Sequence, residues 1–150
     1  MTARRALIPI LLFMSLLIAP LGPALGQAQP ERPSAAVQDA IVAVIQAQLA
    51  AFQRDDGAAA FAYASPTIRA KFGTAARFMT MVRRGYAAVY RPQAVEFLEA
   101  RVVEGRTGQA LRVVGPDGQT VIAVYWMEQQ PDGSWRINGV TLVPANESYS

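Results

Sequence analysis

The chain has 150 residues, of which 52% are hydrophobic and 17% are charged, and it contains neither cysteine nor histidine. A chain of this length accommodates one ordinary globular domain. The missing residue types exclude disulfide bonds, Cys/His zinc sites, haem attachment and every catalytic triad that uses a histidine or a thiolate. Composition therefore restricts the chemistry strongly and leaves the activity open.

The N-terminus has the pattern of a secretory signal peptide. Arg4 and Arg5 form a short positive region, and residues 6–25 are almost wholly apolar. Prolines and glycines crowd the second half of this segment and no basic stop-transfer residues follow, which favours cleavage over retention as an anchor. We expect the signal peptide to be cleaved after Gly26 or Ala28. We expect export to the periplasm or the exterior without a stable membrane anchor, by the general secretory route rather than the twin-arginine route.

The charges of the mature chain leave two interpretations open. Removal of the signal leaves 12 basic and 11 acidic residues, a balance that makes nucleic acid a poor partner. Residues 57–95 nevertheless carry six basic side chains and no acidic one. This stretch either exposes arginines that acids elsewhere balance, or faces an acidic partner or anionic ligand.

Helical patterns fill the first half of the mature chain. Apolar residues recur at helical spacing after a cap at Ser34, and Asp56 can cap a second, alanine-rich helix. Ser65 and Thr74 offer two further caps. The predicted helices span residues 34–54, 58–64, 66–72 and 74–85, followed by a tyrosine-bearing connector over 86–92.

Strand patterns replace helical ones after Pro92. The predicted strands span residues 93–104, 110–114, 120–127 and 135–143, separated by turns over 105–108, 115–118 and 131–133. Two Pro-Asp-Gly turns are strong hairpin signals, because proline presets the first turn residue and glycine accepts a positive φ. Helices followed by four sequential strands predict an α+β fold with an antiparallel meander.

Each strand pattern has one apolar face that another element must cover. The third strand would present Val121, Ala123, Tyr125 and Met127, and the last strand would present Trp135, Ile137, Gly139, Thr141 and Val143. The helix over 34–54 is the only predicted element long enough to cover them. A twisted sheet that curves round one helix leaves a core wider at one end, so we expect a pocket there. The domain then spans residues 34–145, after a signal peptide (1–28) and a tether (29–33), and before a tail (146–150).

This order of elements resembles the nuclear transport factor 2-like superfamily, also called cystatin-like or SnoaL-like. The runs that carry a closer resemblance, to an exported bacterial family catalogued as domain of unknown function 4864, are residues 51–56, 64–66, 78–86 and 89–92. The superfamily resemblance implies a cone-like α+β fold, frequent dimerisation through the sheet, and a cavity used for catalysis or for binding. A fold of this kind implies no single activity.

Enzymes of the superfamily commonly pair a pocket carboxylate with a tyrosine or a histidine. Because this chain has no histidine, the resemblance implies a carboxylate paired with a tyrosine. Asp55, Asp56 and Tyr86 are the weak catalytic candidates, because a desolvated carboxylate can take a proton next to a carbonyl while a phenol stabilises the enolate. Each has a structural alternative: a helix cap for Asp56, an ion pair with arginine for Asp55, and packing for Tyr86. No carboxylate cluster indicates a metal, and no cofactor is expected.

The candidate ligand-binding residues are Tyr63, Arg83, Tyr86, Tyr90 and Trp126. For Trp126 core packing is the alternative. Lys71, the only lysine, permits a Schiff base, but it lies beside an arginine on a short amphipathic turn, which favours an exposed, protonated side chain.

Three functional hypotheses follow. The first is a non-enzymatic exported module whose helix–sheet cavity accepts a small apolar or anionic ligand or a partner segment. The second is a cofactor-free lyase or isomerase that uses one aspartate with a tyrosine. It requires that carboxylate to face the cavity with a raised pKa. The third is a structural homodimer joined through the outer sheet face.

Overall fold

A computed structural model describes residues 31–146 of the chain, so the predicted signal peptide and the end of the predicted tail lie outside the described residues. Within this range five helices precede four strands. They are α1 (Ala35–Gln53), α2 (Gly57–Ala62), α3 (Pro66–Phe72), α4 (Ala75–Gly85), α5 (Ala87–Tyr90), β1 (Ala94–Val103), β2 (Arg106–Val114), β3 (Thr120–Gln129) and β4 (Trp135–Pro144). The α+β order that the sequence predicts is confirmed.

Side-chain caps set the starts of the first four helices. In each case a cap oxygen accepts a hydrogen bond from the backbone N–H three residues later, which satisfies a group that the helix itself leaves unpaired. The caps are Ser34, Asp56, Ser65 and Thr74. These are the four positions at which the sequence predicts caps. The predicted connector over 86–92 differs, because it contains the single turn of α5.

The strands form one antiparallel meander in the order β1-β2-β3-β4. The first hairpin is tighter than the sequence predicts, since Val103 pairs with Arg106 and only Glu104 and Gly105 form its turn. Both turn residues have positive φ, 51° and 74°, which is the geometry that matches the twist of two adjacent strands. The prediction of a four-residue turn is therefore wrong, and β2 begins four residues earlier than expected.

The core lies between α1 and the inner face of the sheet. Ile41 and Ile45 on α1 are fully buried, as are Leu111 on β2 and Ala123 on β3. All four belong to one cluster of buried apolar residues. The expectation that the apolar side of the meander packs on the long helix is confirmed.

A bulge in β4 changes which of its residues face this core. Trp126 pairs with Gly139 but Met127 pairs with Ile137, so β4 carries one extra residue, Asn138. An extra residue shifts the alternation of a strand by one position, and every later side chain changes face.

The predicted inner face of β4 is therefore wrong beyond the bulge. Val140 and Leu142 pack against the core. Thr141 lies on the outer face, where its hydroxyl accepts a hydrogen bond of 3.1 Å from Nε1 of Trp126. Val143 follows Thr141 by two residues and shares the outer face with it.

The chain approaches the domain along the edge of β1. The backbone N–H of Val102 donates to the carbonyl of Glu31 at 2.7 Å. Arg32 forms an exposed ion pair of 3.0 Å with Glu99. The described part of the predicted tether thus contacts β1. Among the described residues, α1 is the one helix with the length and hydropathy of a membrane span, and its buried apolar side chains belong to the core.

Candidate functional site

A cavity of about 360 Å³ lies between α1, the helices α3 to α5 and the strands β3 and β4. Much of its wall is apolar and aromatic, including Phe52, Phe72, Phe78, Val82 and Val89. The Phe52 and Phe78 rings stack at a centroid distance of 6.3 Å, and Phe72 meets Phe78 edge-on at 5.8 Å. A volume at the lower end of the range for ligand pockets admits a small molecule.

The wall of the cavity also carries a buried tyrosine whose hydroxyl has no partner. Tyr125 on β3 lines the cavity and is fully buried. Its hydroxyl makes no hydrogen bond to any described residue. Burial raises the pKa of Tyr125, so the phenol stays neutral and keeps its proton. A buried hydroxyl without a partner costs about 1–3 kcal/mol, which a bound oxygen atom would offset.

An asparagine forms a polar corner of the same cavity, and a buried serine outside the lining orients it. Residues 63–65 run beside β4, where Ser65 N–H donates to the carbonyl of Ile137 at 2.8 Å. This pairing sets the Ser65 hydroxyl next to the bulge residue Asn138, with Oγ and Oδ1 2.7 Å apart. Ser65 Oγ also accepts from the N–H of Ile68 at 3.2 Å, so its proton points to Asn138. One buried serine therefore caps α3 and orients the Asn138 amide.

Two further polar side chains line the cavity from the helices. Gln48 on α1 is buried, and its amide nitrogen donates to the carbonyl of Ala60 at 3.1 Å. Lys71 on α3 is exposed and lines the cavity beside Phe72, whose ring centroid lies 5.7 Å from the ammonium nitrogen. Lys71 is the only charged side chain that lines the cavity among the described residues.

The predicted catalytic candidates are not assembled in this cavity. Asp56 caps α2, with its Oδ1 3.0 Å from the N–H of Ala59. Asp55 is exposed and lies in a separate surface cluster. Tyr86 does line the cavity, but its hydroxyl donates to the carbonyl of Val140 at 3.1 Å. Neither aspartate lines the cavity, as the lyase hypothesis requires, and the pKa of Asp55 is lowered rather than raised.

The surface cluster consists of Asp55, Arg83, Tyr90 and Arg91. The Tyr90 hydroxyl donates to Asp55, Arg91 Nη2 lies 2.8 Å from Asp55 Oδ2, and Arg83 Nη2 lies 3.7 Å from Oδ1. The hydrogen bond from Tyr90, followed by that from Arg91, holds the pKa of Asp55 below its ordinary value. This outcome fits the structural alternative for Asp55, an ion pair with arginine.

This cluster supports one wall of the cavity. Arg91 also donates to the carbonyl of Phe52 near the end of α1, and its guanidinium lies 3.9 Å from the centre of the Tyr90 ring. These contacts fix α5 against the end of α1. Tyr86 and Val89, which line the cavity, lie in the same short stretch.

The predicted ligand-binding residues divide among four places. Tyr86 lines the cavity, whereas Arg83 and Tyr90 belong to the surface cluster. Tyr63 is half-buried against the core and does not line the cavity. Trp126 lies on the outer face of the sheet, where the Arg106 guanidinium sits 4.1 Å from its ring. Its expected place in the helix–sheet cavity is therefore wrong, because inner and outer positions alternate along β3.

Sequence reasoning missed the polar residues that do line the cavity. The strand pattern predicts that Tyr125 lies on the inner face, but whether its hydroxyl finds a partner depends on the packing around it. Asn138 enters the cavity through the bulge, which a strand pattern does not reveal. Gln48 had one available signal, since it is a polar residue on the apolar side of a helix, next to Leu49 and one turn after Val44 and Ile45.

A second depression lies on the outer face of the sheet. It has a volume of about 410 Å³ and is mostly apolar, with Leu98, Ile122, Val124 and Trp126 among its lining residues. Val103 at its edge is 45% exposed. Metal-binding clusters of three or more acidic side chains do not occur within residues 31–146.

Comparison with known proteins gives a family but no function. No curated protein and no solved structure matches the chain. Residues 34–150 match the family described as Domain of unknown function (DUF4864). Because this match covers most of the chain, the protein belongs to that family.

Proposed function

We propose that this protein is an exported binding module. Its cavity would hold a small ligand that has an apolar body and at least one oxygen atom able to accept a hydrogen bond. The apolar lining supports the first property, and the polar groups of Tyr125 and Asn138 support the second. The signal-like N-terminus supports export, since its apolar stretch is compatible with a signal sequence.

The observation that carries this proposal is the Tyr125 hydroxyl. Tyr125 lines the apolar cavity, and its hydroxyl is a neutral donor that is fully buried and unpartnered within the described residues. Buried polar groups in proteins are almost always hydrogen-bonded, and exceptions commonly mark a missing water or ligand. A ligand oxygen at this position would complete the core of the protein as well as anchor the ligand.

Binding fits the geometry better than catalysis does. Asp55 and Asp56 lie outside the cavity, and Asp55 has a lowered pKa. A carboxylate that stays ionised and faces solvent is a poor general base for a cavity-bound substrate. The hydroxyl proton of Tyr86 is committed to a backbone carbonyl. The lyase hypothesis therefore lacks its base, and Tyr86 is not free to act as its proton donor.

We also propose membership of the nuclear transport factor 2-like superfamily. The support is the long first helix, the short helices after it, and a meander whose apolar face covers the first helix. A structure determined experimentally and superposed on members of that superfamily would test this assignment.

Dye binding to residues 29–150 tests the binding function. We expect 1-anilinonaphthalene-8-sulfonate to bind with increased fluorescence, because its aromatic body suits an apolar cavity. Met81→Trp should weaken the signal by narrowing the cavity, which Met81 lines. Ala110→Trp is the matched control, since Ala110 lines only the outer depression. Absence of dye binding, or binding that Met81→Trp leaves intact, would contradict the proposal.

A homodimer through the outer sheet face is a second candidate function. The apolar outer depression and the exposed Val103 favour it, because large exposed apolar patches often mark interfaces. We expect the molar mass in solution to fall from dimer to monomer on dilution, and Val124→Arg to give monomer at all concentrations. A monomer at the highest concentration would exclude this dimer.

A further inference from the structure

We infer that the ligand of the cavity is an apolar monocarboxylate. Its carboxylate would bind Lys71 and Asn138, and its carbon skeleton would lie along Phe52, Val82 and Val89. This inference rests on the proposed binding function and names the ligand class.

The charge of the cavity sets the charge of the ligand. Among the described residues Lys71 is the one charged side chain of the lining, and it forms none of the salt bridges found there. An ammonium at the mouth of an apolar cavity attracts an anion more strongly than it would in bulk water. One cation balances one negative charge, whereas a phosphate monoester with two would leave one unpaired.

The asparagine supplies a second donor for the same head group. Ser65 engages Oδ1 of Asn138, which turns the amide nitrogen away from it. That nitrogen makes no hydrogen bond to any described residue, while Asn138 lines the cavity. A carboxylate has two acceptor oxygens, so an ammonium and an amide N–H can bind it together.

The apolar wall of the cavity determines which carbon skeleton the ligand can have. Phe52, Phe78, Val82 and Val89 are buried apolar side chains of its wall. They favour an alkyl or aryl body and offer nothing to a second charged group. Tyr125 is also part of this wall, and its buried O–H has no partner among the described residues.

Calorimetry with two matched probes tests the inference on residues 29–150. We expect sodium octanoate to bind at least tenfold more tightly than 1-octanol. Lys71→Gln should weaken octanoate binding about tenfold, the effect of losing one charge-assisted hydrogen bond, and leave octanol unchanged. Arg69→Gln is the control, because Arg69 is an exposed cation on the same helix that does not line the cavity. It should change neither affinity.

Several results would overturn the inference. Equal affinities for the two probes, an undiminished octanoate affinity in Lys71→Gln, or an equal loss in Arg69→Gln would each exclude carboxylate recognition by Lys71. If dye binding is sensitive to Met81→Trp in the same preparation, these results leave the binding function standing. If the dye fails as well, the binding function and the inference fall together.

Discussion

At the scale of single residues, two serines with the same capping role lie in different surroundings. Ser34 caps α1 at the exposed surface, with Oγ 3.3 Å from the N–H of Val37. Ser65 caps α3 while fully buried, and its hydroxyl also donates to Asn138. Changing Ser34 to alanine removes one helix cap. Changing Ser65 to alanine removes a cap and also leaves Oδ1 of Asn138 without its partner.

We therefore expect unequal effects of the two alanine variants. Ser34→Ala should lower the free energy of unfolding by about 0.5–1 kcal/mol, the ordinary loss of an N-cap. Ser65→Ala should lower it by about 2–3 kcal/mol, because the unpaired Asn138 oxygen adds its own cost. Urea titrations of both variants and the parent give these values. Equal losses would mean that the Ser65–Asn138 hydrogen bond contributes nothing.

The Asp55 carboxylate predicts a dependence of stability on pH. Its pKa lies below the ordinary 3.8 in the folded protein, first because of the hydrogen bond from Tyr90 and then because of Arg91. The folded state therefore binds this proton less readily than the unfolded chain does. The resulting stabilisation is complete above the unfolded pKa and is lost as the pH falls through the folded pKa.

Replacing Asp55 with asparagine should flatten this dependence. Asparagine tolerates the left-handed backbone that Asp55 adopts, with φ of 53°, so the variant removes the charge and keeps the conformation. We expect Asp55→Asn to be less stable than the parent at pH 7 and to lose less stability between pH 5 and pH 2. Some dependence should persist, because the pKa of Asp132 is also lowered, by hydrogen bonds from Ser134. An unchanged slope in unfolding experiments would contradict the role of Asp55.

At the scale of elements, the bulge in β4 decides which side chains face the core. Leu142 packs inward after the bulge, and Val143 does not. Leu142→Ala should cost about 2 kcal/mol, at the lower end for a core leucine because the side chain is only partly buried. Val143→Ala should cost less than about 1 kcal/mol. Chemical denaturation of both variants tests this order, and a larger loss for Val143 would place the strand in its unbulged register.

The existence of the elements was predictable, whereas their register was not. Caps such as Ser65 are local signals, since the same residue supplies the hydrogen bond and marks the boundary. Asn138 shows the opposite case, because a bulge arises between two strands and neither strand's own alternation reveals it. The start of β2 at Arg106 was not predicted, because Gly108 is typical of a turn. Gly108 instead lies within the strand, and its Cα faces the Trp126 ring.

At the scale of the whole molecule, the site was harder to predict than the fold. The covering of the sheet by α1 follows from apolar periodicity alone. The cavity depends on which polar groups remain without partners after packing, and Tyr125 can be distinguished from an ordinary core tyrosine only in three dimensions. Asp55 and Tyr90 show the opposite case. Their side chains suggest a catalytic or binding role, but the fold brings them together on the surface rather than in the cavity.

The single shared core predicts that the helices and the sheet unfold together. Ile45 on α1 is fully buried in the same cluster as residues from β2, β3 and β4, so neither layer keeps its apolar surface covered without the other. For residues 29–150, far-ultraviolet circular dichroism reports the helices, and tryptophan fluorescence reports the sheet through Trp126 and Trp135. We expect the two denaturation curves to coincide. Ile45→Ala should shift both by the same amount, about 2–5 kcal/mol, whereas a fluorescence transition separate from the helical one would show that the meander is stable without α1.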